Sequence, residues 1–414
     1  MSLLELIAVL LAAVAVLGYI NHRVIGWPDA IGIAATGLLV SGVLALAAPL
    51  VPGAANWARG VAARFDLPQL LLHGFLSVML FAASLHINLS DLARQKIPVI
   101  VLATIGVVLS TVLVGFGAWW LLGAMGVDID LEYCLLFGAL ISPTDPIAVL
   151  ALLRTADVPQ ALETEIAGES LFNDGTGVVA FLVMLGIATG GGTPQAPDIA
   201  VMLLELLVGG LTLGVVLGYA AFALLKGVDS YPVEIILTLA LATGGYALAE
   251  RIEVSAPLTV VAAGLVIGNH GAKSAMSERT RANLFSFWEL LDEVLNLLLF
   301  GLIGLKLMGL GGTAALWPAA CMLVPVVLAA RFLSTGIPAL LVRPWLRHTT
   351  PHAVKVLTWG GVRGGISIAL ALSLPEFPGR DTLVVGTYAV VFFSLLVQAP
   401  TLPWLLRRLK LAKR

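Results

Sequence analysis

Mainly apolar runs, most of them long enough to cross a bilayer as a helix of about 20 residues, follow one another along the whole chain. Cut at charged or Pro/Gly-rich breaks, they give thirteen spans, at 2–20, 27–49, 68–88, 98–123, 131–153, 161–189, 198–225, 232–250, 255–270, 283–309, 314–342, 353–374 and 382–406, the ninth being short. They do not alternate apolar with polar residues, so they predict helices and not the strands of a membrane barrel. Lys and Arg orient the bundle, because inner loops carry an excess of both. With the N-terminus outside, sixteen of the 23 Lys and Arg fall on inner loops and four (Arg59, Arg64, Arg251 and Arg380) on outer ones, while Lys306, Arg331 and Arg363 lie within spans. A missed or invented span in mid-chain would scramble this split. The expectation is an all-α polytopic protein of the cell (inner) membrane, N-terminus outside and C-terminus cytoplasmic.

Thirteen divides as six, one and six, and two six-helix halves joined by a seventh helix are inverted relative to each other, an architecture common among secondary transporters. The fifth span of each half is interrupted. In span 5 the break is Ser142-Pro143-Thr144-Asp145-Pro146, where two prolines remove backbone donors and disfavour helix before them. In span 12 it is Gly360-Gly361-Val362-Arg363-Gly364-Gly365, four glycines about one arginine. Matched breaks predict two unwound helices at mid-membrane, where such folds bind ions.

Composition narrows the function. Of 414 residues 59% are apolar and 12% charged, with a mean hydropathy of +1.01, which excludes an ordinary soluble domain. A net charge of −2 offers no basic surface to nucleic acid. Cys134 and Cys321 sit within apolar runs without metal or redox spacing and are read as buried thiols. No Lys or Arg precedes Arg23, and Glu5 reverses the basic start of a signal peptide, so the first helix is read as retained.

Charged groups in hydrocarbon are costly and mark function. At the start of span 6, Glu169, Ser170, Asn173, Asp174 and Gly177 fall within about 140° of one helix face. Gly177 admits a close neighbour, and Thr144 and Asp145 come from the span before. A hard monovalent cation takes carboxylate, hydroxyl and freed backbone carbonyl oxygens. Asp145, Glu169 and Asp174 against Arg331 and Arg363 leave one carboxylate uncompensated, provided that Lys306 snorkels to the interface. One such acid holds either one proton or one monovalent cation, the requirement of a one-for-one exchanger. Arg331 reads equally as packing to a carbonyl. Glu289, Asp292 and Glu293, near the inner start of span 10, read as a solvated helix start or as an inner funnel for cations. His73 and His86 flank span 3, as tuners of a pH response or satisfied interfacial histidines.

The stretches LLFGALISPTDPIAVL (135–150), GESLFNDGTGVV (168–179), FAASLHINLSDL (81–92) and WGGVRGGISIALALSLP (359–375) resemble the monovalent cation/proton antiporters, in particular the NhaP-like electroneutral sodium/proton exchanger branch. The resemblance implies a homodimer with a dimer domain of 1–97 and 191–312 and a core domain of 98–190 and 313–414. It implies exchange of Na⁺, or Li⁺, for H⁺ by alternating access, with no cofactor beyond the transported ions. Asp174 would carry cation or proton, Asn173 would mark the electroneutral branch, and Glu169, Ser170 and Thr144 would join Asp174 around Na⁺. Asp145 would support the crossing, and Arg363 would pair with Glu169. Many relatives have Glu where this chain has Ala82, and no large regulatory domain is expected beyond the last span. A K⁺/H⁺ exchanger is the alternative within the class. A channel would need a continuous pore of weak sites, and an intramembrane enzyme a catalytic pair that does not occur.

Overall fold

In a computed structural model the described residues are 3–26, 32, 36–37, 60, 67–145, 149–150, 153, 158–190, 196–309, 313–342 and 352–411. Among them every regular element is a helix, and no strand occurs. Span 1 forms Leu3–Ile20, span 3 forms Leu67–Leu70, Leu71–Phe75 and Leu76–Leu85, and span 4 forms Lys96–Ala124. Spans 6, 7 and 8 form Gln160–Thr189, Ala196–Leu225 and Tyr231–Arg251. Spans 9, 10 and 11 form Ala256–Gly271, Glu278–Gly309 and Trp317–Val342, and span 13 forms Arg380–Arg408. Six helices are long and apolar enough to cross a membrane by length and composition, those of spans 4, 6, 7, 8, 11 and 13; those of spans 3, 5 and 9 are apolar but shorter. Span 2 lies outside the described residues apart from 32 and 36–37. So do Arg59, Arg64, Pro146, Arg154, Arg343, Arg347 and the last three residues.

Both expected interruptions are present. Span 5 runs as helix over Leu131–Ile141 and is non-helical at 142–145. Span 12 is helical over Ala353–Trp359, unwinds at 360–364 and resumes over Gly365–Leu372.

Packing separates two groups of helices. Span 4 lies against spans 5 and 11, span 5 against span 6, and span 13 against spans 11 and 12. Span 3 lies against spans 9 and 10, span 8 against spans 7, 9 and 10, and span 1 against span 10. Span 6 touches both groups, packing on spans 4 and 5 and also on span 9. Its Thr176 hydroxyl donates to the Ala103 carbonyl of span 4 at 2.5 Å. Cys134 is buried as expected, but Cys321 is exposed. The helix of span 11 turns apolar residues outward along its length, Met322, Phe332 and Leu333 among them, because an outer helix in lipid has no reason to hide an apolar thiol.

Candidate functional site

The two breaks meet. The Asp145 amide donates to the Val362 carbonyl at 2.8 Å, so each unwound strand satisfies part of the other. Their approach needs missing side chains. A Cβ on Gly364 would collide with the Asp145 carboxylate, and one on Gly177 with the Pro143 ring. The expected close approach at Gly177 is therefore to the break itself.

Broken helices leave carbonyls without partners at their C-terminal ends, where the helix dipole favours cations. Arginines occupy both ends. Arg363 Nη1 donates to the Ser142 carbonyl, and to that of Pro143 at 2.8 Å, at the end of the first half of span 5. Arg331 Nε and Nη2 donate to the Leu357 carbonyl in the last turn of the first half of span 12, at 3.4 and 3.2 Å. Gln398 takes the Trp359 carbonyl at 3.2 Å.

Glu169 belongs to Arg331. The guanidinium donates from Nη1 to Oε1 at 2.6 Å and from Nη2 to Oε2 at 2.9 Å, with both side chains buried. The expected Arg363–Glu169 pair is thus corrected. Arg363 stays within electrostatic reach of Glu169 and Asp174, but its bonds go to the broken span 5. Arg331 combines the two roles the sequence left open, carbonyl packing and counter-charge.

Along the rest of the stripe the polar groups bind each other. The Asn173 amide nitrogen donates to Thr144 Oγ1 at 2.8 Å, and its carbonyl accepts from the Thr144 amide at 3.2 Å. The Thr144 and Ser170 hydroxyls are 2.9 Å apart. Asn173 therefore fixes the break of span 5 against span 6, and Ser170 extends that contact. Asp174 stands apart: it is 5% exposed, and its Oδ1 has no hydrogen-bond partner. It interacts electrostatically with Asp145 and Arg363.

Asp174 lines a small pocket between the two groups of helices. Thr144, Asp145, Asp174 and Ser367 line one side, and Met79, Leu80, Asn296 and Leu299 of spans 3 and 10 the other. Ala82, where the resemblance led one to look for an acid, is buried away from the lining. Among the inner acids, Asp292 interacts electrostatically with Asp145, and Asn296 donates to its Oδ1 at 3.2 Å and its carbonyl at 2.9 Å. Glu289 and Glu293 are exposed. His86 satisfies its ring against the Ala82 carbonyl at 2.9 Å, and the His73 side chain lies outside the described residues.

A family model described as sodium/hydrogen exchanger, transmembrane, matches residues 10–408. The chain belongs to the sodium/hydrogen exchanger family. Its relatives include the Na(+)/H(+) antiporter NhaP of Pseudomonas aeruginosa, 45% identical over 98% of this chain and 97% of that protein. Another is the Na(+)/H(+) antiporter NhaH of Halobacillus dabanensis, 33% identical over 97% and 96%. The fold is that of the sodium proton antiporter MjNhaP1 from Methanocaldococcus jannaschii, with a TM-score of 0.76, 19% identity and 99% of both chains covered. The expected exchanger family and polytopic α fold are both borne out.

Two polar pocket residues escaped the sequence reading, Asn296 and Ser367, which line the pocket from spans 10 and 12. Each is a lone polar residue within an apolar stretch. Ser367 carried a usable signal, four residues after the arginine of a break already marked.

Proposed function

We propose that this chain is a secondary active antiporter exchanging Na⁺, or Li⁺, for H⁺ across the cell membrane. The observation that carries the reading is the uncommitted, buried carboxylate oxygen of Asp174 on the pocket where the two breaks cross. Asp174 takes a proton or a cation in turn. With Arg331 neutralising Glu169 and Arg363 facing Asp174, the loaded core bears the same charge in both crossings, and exchange is electroneutral. Thr144 and Ser170 offer hydroxyl oxygens beside Asp174, Asn173 holds them in place, and Glu169 shapes the ion site from behind through Arg331.

The pocket's position between the two groups supports alternating access. Spans 4–6 and 11–13 form a core domain and the remaining spans a dimer domain, whose spans 3 and 10 form the facing wall. Moving the core along this wall exposes Asp174 to each side in turn. Asp292 lies on the inner approach and attracts cations toward the crossing. The outward apolar side of span 7, with Val201, Leu204, Val208 and Val216 exposed, is where a second copy would pack to form the homodimer. The N-terminus lies outside and the C-terminus in the cytoplasm.

Reconstitution in liposomes with an internal pH dye tests the reading. Na⁺ or Li⁺ drives proton movement in the opposite direction, and Asp174→Asn does not. A response to K⁺ alone would make the chain a potassium exchanger, and conductance without coupled proton movement would make it a channel.

A further inference from the structure

We propose that Ser367 is a further ligand of the transported cation, so that the second half of the chain closes an ion site whose carboxylate comes from the first. The proposal rests on the reading of Asp174 as the carrier.

Ser367 is 1% exposed, and its Oγ has no protein hydrogen-bond partner. That is unusual for a helical serine, which ordinarily returns its hydroxyl to the carbonyl three or four residues back. Ser373, at the end of the same helix, does this, donating to Leu370 at 2.8 Å. Ser367 is the third residue of Gly365–Leu372, so the corresponding carbonyls belong to Arg363 and Gly364, in the break. Gly364 is extended, at φ −116° and ψ −159°, so the helix begins after it and the carbonyl four residues back from Ser367 lies before the helix. Unwinding span 12 thus does two things at once. It admits Asp145 against Gly364, and it puts Ser367, its Oγ unbonded, in the first turn of the resumed helix.

Ser367 lines the same pocket as Asp174. The other hydroxyl residue of the lining, Thr144, is engaged: its Oγ1 accepts from Asn173 and lies 2.9 Å from the Ser170 hydroxyl. Asp174 Oδ1 and Ser367 Oγ are the two buried side-chain oxygens of this pocket left without a hydrogen bond among the described residues. A small dehydrated cation needs several oxygens around it, and a neutral hydroxyl adds one without adding charge. Ser367 therefore sets affinity and selectivity and leaves the exchange stoichiometry alone. A rival role, in which Ser367 only donates a hydrogen bond to Asp174, would affect all cations alike.

The test uses proteoliposomes of the full chain in nitrate salts, comparing Na⁺, Li⁺ and Tl⁺ as the driving ion. Ser367→Ala should raise the apparent Km for Na⁺ about tenfold, with the maximal rate and thermal midpoint in detergent close to wild type. Ser367→Thr, which keeps the hydroxyl, should hold near-wild-type affinity. Ser367→Cys should lose Na⁺ affinity yet keep that for Tl⁺, because a thiol suits the softer ion. An unchanged Na⁺ Km in Ser367→Ala, or equal weakening toward Na⁺ and Tl⁺ in the Ala and Cys variants, would overturn the assignment of Ser367 alone, provided that Asp174→Asn is inactive. An active Asp174→Asn would overturn the carrier reading and Ser367 with it.

Discussion

Arg331 on span 11 grips both carboxylate oxygens of Glu169 on span 6, at 2.6 and 2.9 Å, while donating to the Leu357 carbonyl of the broken span 12. One guanidinium thereby ties three spans together. Removing one member of a buried pair strands the other charge, at a cost of roughly 3–5 kcal/mol. Arg331→Ala should therefore lower the detergent thermal midpoint sharply, and adding Glu169→Gln should recover part of the loss. If the double variant melts no higher than Arg331→Ala, Glu169 is not the charge that Arg331 serves.

Asp174 makes the opposite prediction, because its Oδ1 is committed to no protein group. Asp174→Asn should abolish sodium-driven proton movement while the thermal midpoint stays at or above that of the wild type, since a neutral amide removes a buried charge. Asp174→Glu keeps a titrating group and should retain weak exchange. Isothermal calorimetry with Na⁺ should give no binding heat for the Asn variant.

Gly364 tests the crossing. A methyl there would run into the Asp145 carboxylate, whereas one at Gly186, farther along span 6, would meet nothing within 4 Å. Overpacking of this kind typically costs about 1–3 kcal/mol. Gly364→Ala should lower both the thermal midpoint and the exchange rate, and Gly186→Ala should leave both unchanged. Equal behaviour of the two variants would mean that the breaks do not have to touch.

Much of this was legible in the chain because the signals are local. Pro143 and Pro146 in one span and four glycines clustered about Arg363 in another disfavour helix by local chemistry, and a stripe with a period of 3.6 residues puts Ser170, Asn173 and Asp174 on one face whatever surrounds it. The pairing of charges was not legible. Glu169 and Arg331 are 162 residues apart, and whether Arg331 or Arg363 reaches Glu169 depends on how spans 6, 11 and 12 cross. The same holds for Asp292, read as lying at the inner start of span 10 but brought within electrostatic reach of Asp145. Ser367 was hidden differently: a serine in an apolar helix looks satisfied by the carbonyls one turn back, and only the folded chain shows its Oγ buried without a partner. Cys321 was misjudged because, in a membrane, an apolar residue on the outside of the bundle is as comfortable as one inside it.

Competition at one carboxylate gives a pH dependence without a separate sensor. When a proton and a cation exclude each other at Asp174, acidification raises the apparent Km for Na⁺, by about tenfold per pH unit once the acid is mostly protonated. Initial rates over a grid of Na⁺ concentration and pH should show this slope with a maximal rate that moves much less. A Km flat from acid to alkaline pH would place the two ions at different sites.

The central claim is that a single acid carries either ion, and the balance point of opposed gradients tests it most directly. In proteoliposomes with the membrane potential clamped at zero by potassium and valinomycin, a tenfold Na⁺ gradient should stop proton flux when opposed by about one pH unit, as one-for-one exchange requires. Balance at about half a unit would mean two protons per Na⁺, contradicting the account and making Asp145, which faces both Asp174 and Asp292, the second carrier to examine.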